Sequence, residues 1–422
     1  MKRSLGVWFN NVLVGHLIEE NNIWSFQYDN SWVDSQIGFD LSPSLLRSDK
    51  FILDGSTTRP VQWFFDNLLP EEQARDLIAK DQKFESSDSF SMLAHFGYES
   101  AGALTLLAEG ETVAEQGEIP LSESELSERI KKLPRTPLAS TAAKRMSLAG
   151  AQHKLPLIYR NGALFEPTGN TVSSHILKPD HQDTDDYPHS VANEWFVMQL
   201  AKRVGLDVPE TYYRQVPEPI YLIERFDRVA SEEGTLLRRH TMDGCQLLSI
   251  YGKDKYAGST IDNLNKIIDL CRTKATAKQR LFKWMLFNTV IGNADAHLKN
   301  LSVFCEPEGM TVTPHYDLLS TTSYAEIGQW GEDELSWQLG GATYFKEVRS
   351  SHFINFGEQI NLKRPFINRT ISYLLKKIET ESASLLKQTE EMTGDEKMSP
   401  GELRHLRTIV FGVIKDMLNQ LG

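Results

Sequence analysis

The chain has 422 residues, enough for two or three domains, and its 40% hydrophobic and 24% charged residues exclude wholesale disorder. A formal charge of −12 argues against a protein that binds nucleic acid unaided, because phosphate neutralisation needs clustered lysine and arginine. No apolar run reaches the ~20 residues of a membrane-spanning helix, no signal-peptide pattern follows Met1, and the three cysteines lack metal-ligand spacing. We therefore expect a cytoplasmic protein of several domains.

Residues 1–111 predict a β-meander followed by helices. Short runs of β-branched and aromatic residues are interrupted at Asn10-Asn11 and Asn21-Asn22, which is typical of hairpin turns. Apolar residues at helical spacing follow. The chain then turns polar over residues 111–140, which we interpret as a boundary between this first domain and the next.

Residues 141–226 predict a small, strand-rich lobe. Arg160-Asn161-Gly162 separates two apolar runs and indicates a hairpin, and a later strand runs into Lys178. The next helix carries Glu194 and ends at Gly205, a suitable left-handed cap residue. Residues 227–422 show mostly helical spacing. The predicted fold class is therefore α+β, with a β-rich amino-terminal part that includes a small extra domain, and a mostly helical carboxy-terminal lobe.

The most informative segment surrounds Asp295 and Asn300. The two residues lie five positions apart, directly after a predicted buried helix, and two strands joined by a turn follow before Asp317. A hairpin brings its ends together. We therefore expect Asn300, at the entrance, to face Asp317, just past the exit, with Asp295 on the loop that leads into the first strand.

Two carboxylates and a carboxamide are suited to phosphoryl transfer from a nucleotide. Mg²⁺ prefers oxygen ligands, and a carboxylate held off the metal can accept the proton of an attacking hydroxyl. Protein kinases have the same Asp-x-x-x-x-Asn spacing, followed by a metal-binding Asp, and they also pair a strand lysine with a helix glutamate, as Lys178 and Glu194 would. The alternatives are a surface loop with turn-capping Asp and Asn, a solvated lysine, and a glutamate that caps the helix or faces water.

Five ordered segments resemble the HipA family of serine/threonine kinase toxins from HipBA toxin–antitoxin systems. They are Ser147-Leu-Ala-Gly-Ala-Gln-His-Lys154, His175-Ile-Leu-Lys178, Ile223-Glu-Arg-Phe-Asp-Arg228, Asn293-Ala-Asp-Ala-His-Leu-Lys-Asn300 and His315-Tyr-Asp-Leu-Leu-Ser320. The predicted meander also resembles the small domain that precedes the kinase core of this family. The resemblance thus covers nearly the whole chain.

The resemblance implies a role for each matching position. Asp295 would be the catalytic base, Asn300 and Asp317 would bind Mg²⁺, and Lys178 would hold the phosphates of ATP. The other implied ATP-binding residues are those of the phosphate-covering loop (Ala149, Gly150, Ala151, Gln152, His153, Lys154), the adenine-contacting segment (Glu224, Arg225, Phe226) and the floor of the site (His297, Lys299, Asn300, Tyr316, Asp317). The loop has one glycine and would not be recognised without the family, and residues 224–228 would otherwise be interpreted as a solvated strand end.

The resemblance also implies regulation and partners. Ser147 would be autophosphorylated, which inactivates the enzyme, and Lys144 and Arg145 would pair with its phosphate; the alternative is an ordinary loop serine. A helix-turn-helix antitoxin would neutralise the toxin and carry it to operator DNA, where the two corepress their operon. Phosphorylation of glutamyl-tRNA synthetase would cause growth arrest and persistence. Two other readings stay open: a catalytically vestigial, antitoxin-binding corepressor, and a small-molecule phosphotransferase.

Overall fold

The structure is a computed structural model that describes residues 2–111, 115–142, 144, 148–150, 152–232, 234–326 and 328–422. Its contacts divide the chain into two compact units. Unit 1 contains residues 1–178, 224–254 and 303–310, and unit 2 contains residues 179–223, 255–302 and 311–422. The chain therefore passes between the units several times.

The strands are numbered in chain order. They are β1 Lys2–Phe9, β2 Val12–Glu20, β3 Ile23–Tyr28, β4 Phe51–Leu53, β5 Leu104–Ala108, β6 Gly117–Leu121, β7 Leu155–Arg160, β8 Ala163–Thr168, β9 His175–Pro179, β10 Thr211–Gln215, β11 Pro219–Glu224, β12 Arg228–Ala230, β13 Leu236–Arg238, β14 Thr241–Asp243, β15 Ser302–Glu306, β16 Gly309–Val312, β17 Glu334–Leu339 and β18 Ala342–Tyr344.

The α-helices are numbered in the same way. They are α1 Asn30–Val33, α2 Pro60–Asp66, α3 Glu72–Gln82, α4 Ser89–Phe96, α5 Glu123–Lys132, α6 Ser190–Val204, α7 Gly244–Leu248, α8 Ile261–Leu270, α9 Lys274–Val290, α10 Ser350–Gln359, α11 Arg364–Glu390, α12 Pro400–Thr408 and α13 Lys415–Leu421. A π-helical segment, Ile409–Ile414, joins α12 to α13. Short 3₁₀ turns occur at Arg47–Asp49, Gly252–Asp254, Leu298–Asn300, Thr322–Tyr324, Trp330–Glu332, Phe345–Glu347 and Gly394–Glu396.

Unit 1 begins with the predicted meander, an antiparallel sheet in the order β4-β3-β2-β1-β5. Both asparagine pairs form its turns with positive φ: 42° and 73° at Asn10 and Asn11, and 53° and 61° at Asn21 and Asn22. Asparagine tolerates this backbone region better than most residues, which is why the pair can close a two-residue hairpin. The registers Phe9↔Val12 and Glu20↔Ile23 confirm the predicted hairpins.

A second sheet of unit 1 places β9, β7, β8 and β6 side by side. The Arg160↔Ala163 pair confirms the predicted hairpin at Asn161-Gly162. The polar stretch 111–140 is not merely a connection, because it contains β6 and α5. β6 lies at the sheet edge and exposes most of its residues, while α5 buries little more than Leu126, Ser127 and Arg129. A strand and a helix therefore form in this interval despite its polar sequence.

A group of buried charges, here called the Glu99 cluster, lies inside unit 1. The Glu99 carboxylate is fully buried and accepts hydrogen bonds from Lys144 at 2.8 Å, Arg228 at 2.8 Å and Arg238 at 2.9 Å. Arg225 lies 3.3 Å from the same carboxylate and pairs with Asp227 at 2.7 Å. Burial would raise the pKa of Glu99, but these cations outweigh burial and hold that pKa well below its usual range.

Unit 2 is mostly helical, as predicted. Its helix α9 is buried on nearly every side over its last ten residues, which accounts for its dense apolar sequence. The helix ends next to Gly292, whose φ is +67°. A Cβ at this position would collide with Thr322 Oγ1 and lie 2.7 Å from Val413 Cγ1, so only glycine fits this turn.

The three-domain division 1–111, 141–226 and 227–422 differs from the two contact units. Unit 1 combines the first predicted domain with most of the second, and the unit boundary falls at Lys178, inside the predicted small lobe. The Glu99 cluster gives a physical reason, because it joins residue 99 of the first predicted domain to residues 144 and 225 of the second. The three-domain division stays a prediction.

Candidate active site

The loop that follows α9 is organised by the side chain of Asn293. The Asn293 Nδ2 donates to Asn288 Oδ1 at 2.8 Å and to the Asp317 carbonyl oxygen at 3.4 Å, while its Oδ1 accepts from the Asp295 amide at 3.0 Å. One buried carboxamide therefore links the backbones of Asp295 and Asp317. The segments that carry Asp295 and Asp317 are therefore neighbours, and the convergence of their side chains on one point stays a prediction.

Asn300 and Tyr316 fix the two ends of the hairpin formed by β15 and β16. The Asn300 Nδ2 donates to the Asp295 carbonyl at 2.7 Å, which leaves its Oδ1 as the atom suited to a cation. The Tyr316 hydroxyl lies 2.9 Å from the Lys299 carbonyl oxygen and 2.6 Å from the Ser302 hydroxyl. The residues flanking Asn300 are thereby held beside the segment that carries Asp317.

The Asp295 carboxylate is open to solvent on one side. Its side chain is 45% exposed, and its Oδ1 accepts a hydrogen bond from the Tyr256 hydroxyl. The His297 Nε2 lies 3.6 Å from the same oxygen, and His297 itself is buried. A carboxylate that is both held and accessible is suited to accept a proton from a docking hydroxyl.

Asp317 occupies the left-handed backbone region, with φ of 52°. An aspartate rarely adopts this conformation unless the surroundings impose it, and such residues concentrate at functional sites. The buried Tyr221 lies nearby: burial and the carboxylates of Glu194 and Asp317 together raise its pKa well above the usual range.

Glu194 and its neighbour Asn193 are both buried in α6. Glu194 therefore does not face water, and its carboxylate is close enough to Tyr221 to raise the pKa of that phenol. Asn193 binds the backbone of Ser320 in both directions, donating at 2.9 Å and accepting at 2.8 Å. Helix α6 is thereby fastened to the segment that follows Asp317. The predicted pairing of Glu194 with Lys178 stays a prediction.

In unit 1, the predicted phosphate-covering loop is closed by its own lysine. The Lys154 Nζ donates to the Ala149 carbonyl at 2.6 Å, and a Cβ on Gly150 would collide with that amine. The Gly150 carbonyl accepts from the Glu71 amide at 3.1 Å, which attaches the loop to the residue before α3. Gln152 and His153 are half-buried between these contacts.

Lys178 lies at the same end of the β7–β9 pair as Lys154. The register pairs Leu155 with Leu177, so each lysine is the next residue beyond this pair. Lys178 is 5% exposed and is therefore not the solvated lysine of the alternative reading. Two cations at one end of a strand pair are suited to bind phosphate groups.

The predicted adenine-contacting segment, residues 224–226, is only partly available to a ligand. Glu224 is exposed and Phe226 is half-buried, with its ring 5.9 Å from that of Phe304. The Arg225 guanidinium belongs to the Glu99 cluster, and its amide donates to the Ser174 carbonyl at 2.9 Å. The reading of residues 224–228 as a solvated strand end is therefore wrong, and any nucleotide contact of Arg225 would have to use its carbonyl group.

Several predictions concern residues outside the described part of the chain. Ser147, Arg145 and Ala151 are among them, so the predicted phosphorylation site stays a prediction. Lys144 is described, and it is buried against Glu99 with 2.8 Å between Nζ and Oε2. In this structure Lys144 is therefore paired with Glu99 and is not positioned to bind a phosphoserine.

The donor set fits magnesium better than a transition metal. Asp317 contributes a carboxylate and Asn300 a carboxamide oxygen, both hard ligands, and Mg²⁺ needs few protein ligands when phosphates and water complete its shell. Within the described residues, no group of three or more His, Cys, Asp or Glu could hold a metal ion. Any metal here would depend on the nucleotide for much of its coordination.

Three residues that organise this site were not given a role by the sequence. Asn293 belongs to a matching motif but received no role of its own, although its position directly before Ala294-Asp295 indicates a capping side chain. Asn193 and Tyr256 lie far from Asp295 and Asp317 in the chain, and no local pattern marks them. Their roles depend on tertiary contacts.

The fold is α+β, and the segments that carry Asp295 and Asp317 are linked through Asn293. The family model described as the HipA-like C-terminal domain matches residues 146–382, and the HipA N-terminal domain model matches residues 5–107. This chain belongs to the HipA family and is a protein kinase. No helix within the described residues is long and apolar enough to cross a membrane.

Individual relatives agree with this assignment. A Sinorhizobium fredii protein named as kinase Y4mE is 32% identical over 404 residues, which cover 92% of this chain and 93% of that protein. The serine/threonine-protein kinase toxin HipA of Shewanella oneidensis is 28% identical over 414 residues, 93% of this chain and 92% of that protein. A solved complex of Shewanella oneidensis HipA with HipB and operator DNA matches with a TM-score of 0.78 and 26% identity, covering 98% of this chain and 99% of that one.

Proposed function

We propose that this protein is an ATP- and Mg²⁺-dependent serine/threonine protein kinase that acts as the toxin of a HipBA-type toxin–antitoxin module in the cytoplasm. The observation that carries the proposal is the link through Asn293 between Asp317 and the half-exposed Asp295. A solvated surface loop would not need a buried carboxamide to join two acidic segments. The family relationship supports the same conclusion.

In the proposed reaction, Asp295 accepts the proton of a serine or threonine hydroxyl. The hydroxyl oxygen bonds to the γ-phosphorus of ATP, and the bond from that phosphorus to the β,γ-bridging oxygen breaks, which releases ADP. Asp317 and Asn300 would hold Mg²⁺, which supplies charge neutralisation when bound. Lys178 and the 149–154 loop would hold the phosphates, residues 224–226 would contact adenine, and His297, Lys299 and Tyr316 would support the site from below.

The first test is incubation with γ-labelled ATP and a protein acceptor. Asp295→Asn removes the base without changing side-chain size, and we expect phosphorylation to fall by about 10²–10⁴-fold. Asp185→Asn, at an exposed loop position of unit 2, is the matched control and should keep full activity. Unchanged phosphorylation in Asp295→Asn would remove Asp295 from the mechanism, and a labelled small molecule in place of labelled protein would favour the small-molecule phosphotransferase.

Regulation and targets form the finer part of the proposal. We propose autophosphorylation at Ser147 as the inactivating step and a translation component, by resemblance glutamyl-tRNA synthetase, as the substrate. Mass spectrometry of the labelled protein should locate phosphate at Ser147, and Ser147→Ala should stay active for longer. Phosphate found only at other residues would contradict this step.

A corepressor function is proposed beside the kinase function, because the solved complex of the Shewanella HipA contains HipB and operator DNA. A helix-turn-helix antitoxin would supply most DNA contacts, as the acidic net charge of −12 requires. Growth arrest on expression should disappear with Asp317→Ala, while operator occupancy with the antitoxin should persist. Arrest that persists in Asp317→Ala would favour the vestigial corepressor.

A further inference from the structure

The two oxygens of the Asp295 carboxylate have different surroundings. The Tyr256 hydroxyl donates to Oδ1, and the His297 Nε2 approaches this same oxygen at 3.6 Å. We infer that Tyr256 is a positioning residue for the catalytic base: it holds Oδ1 so that Oδ2 faces the substrate hydroxyl. The inference rests on the proposed function, because it assumes that Asp295 is the base.

Tyr256 is itself held in place by the catalytic loop. The Ser259 Oγ donates to the Lys255 carbonyl at 2.8 Å and accepts from the Leu298 amide at 2.9 Å. This buried serine therefore fastens the turn that carries Tyr256 to the segment between Asp295 and Asn300. The Tyr256 ring also packs against His297 with centroids 5.0 Å apart and planes at 82°, an edge-to-face contact.

The rest of the surroundings explains why a positioning residue is needed. The Asp295 side chain is 45% exposed, and the terminal torsion of an aspartate is broad, so solvent alone would leave its orientation poorly defined. Other contacts of the loop use its backbone: Asn293 accepts from the Asp295 amide, and Asn300 donates to its carbonyl. The carboxylate itself depends on Tyr256 and His297.

Tyr256 can hold the Asp295 carboxylate without taking over the role of the base. Its side chain carries a phenol that remains protonated at neutral pH in the reference state, so it donates and leaves Asp295 as the acceptor. Tyr256 is 49% exposed, so a docking peptide can reach the adjacent Oδ2 without unfolding this turn.

The test compares Tyr256→Phe with Tyr373→Phe in the full chain. Tyr256→Phe keeps the ring against His297 and removes only the donor. A hydrogen bond to a charged group is worth about a tenfold effect or more, so we expect kcat to fall roughly tenfold while the KM for ATP changes little. Tyr373→Phe, at a 58% exposed position of α11, should behave like the wild type.

Three results would overturn the inference, and they are distinguishable. If Asp295→Asn abolishes phosphorylation but Tyr256→Phe retains the wild-type kcat, Tyr256 does not position the base and the proposed function stands. If Asp295→Asn retains activity, the proposed function fails and the role of Tyr256 fails with it. A loss of activity in Tyr256→Phe that comes from a raised KM for ATP, with kcat unchanged, would indicate disrupted nucleotide binding and would also overturn it.

Discussion

The Glu99 cluster of unit 1 and the proposed catalytic segment of unit 2, residues 293–300, use charge in opposite ways. Glu99 is fully buried and surrounded by four cations of the protein, whereas the Asp295 side chain is 45% exposed and its Oδ1 is approached by a phenol and an imidazole. Both regions contain charged motifs that the sequence displays equally clearly. Charges that satisfy one another inside a protein stabilise a conformation, and a charge left partly open can react.

The largest expected effect on stability is at Glu99. Glu99→Gln removes the central anion, so that Asp227 is the one anion of the cluster left to pair with its four buried cations. Loss of one partner of a buried ion pair typically costs about 3–5 kcal/mol of unfolding free energy. Urea denaturation should show this decrease in the free energy of unfolding. Glu20→Gln, at an exposed strand position of the same unit, should change it by less than about 0.5 kcal/mol. Equal stability of the two variants would show that the cluster is not a major source of stability.

The next effect concerns the turn that leads into the catalytic segment. Gly292→Ala adds a Cβ at a φ of +67° against Thr322 and Val413, which we expect to cost about 1–3 kcal/mol and to displace Asn293. Thermal unfolding and phosphorylation assays should both show a loss. Gly412→Ala is the control, because its Cβ would meet only Thr408 Cγ2 at 3.9 Å. If Gly292→Ala keeps wild-type stability, the turn can relax and does not require glycine.

The smallest expected effect concerns the pH dependence of the free energy of unfolding, through the buried His405. Burial lowers the pKa of His405 to about 4. Its unfolded value is about 6.5, so the neutral ring stabilises the fold above pH 6.5, and this stability is lost as pH falls toward 4, at about 1.4 kcal/mol per pH unit. His405→Gln should reduce the slope of unfolding free energy against pH by that amount, measured by urea denaturation between pH 7 and pH 5. His16→Gln, at an exposed strand position, should leave the slope unchanged; equal slopes for all three proteins would contradict the prediction.

Local patterns succeed where a short stretch determines its own geometry. The Asn10-Asn11, Asn21-Asn22 and Asn161-Gly162 turns were predictable because these residues tolerate positive φ. The spacing of Asp295, Asn300 and Asp317 was informative because a hairpin must return to its starting point. The strand and the helix within the interval 111–140 were not predicted, because an edge strand and a mostly exposed helix resemble a polar connection.

Distant contacts were beyond the reach of the sequence. Residues 224–228 looked like a solvated strand end, yet Arg225 and Arg228 are buried because Glu99, more than 120 positions earlier, supplies a counter-charge. Asp227 is buried because it pairs with the same two arginines. Likewise, Tyr256 meets Asp295 across 39 positions of the chain. A polar residue can be either a surface group or a buried partner, and its own neighbours in sequence do not decide which.

By itself the sequence determined the turns, the helices and the order of the kinase motifs, because hydrophobic period and backbone preference act over a few residues. Tertiary structure alone decided which charges are neutralised and which stay open, since that depends on what the fold brings within hydrogen-bond distance. Asn293, Tyr256 and Glu99 acquire their roles only there.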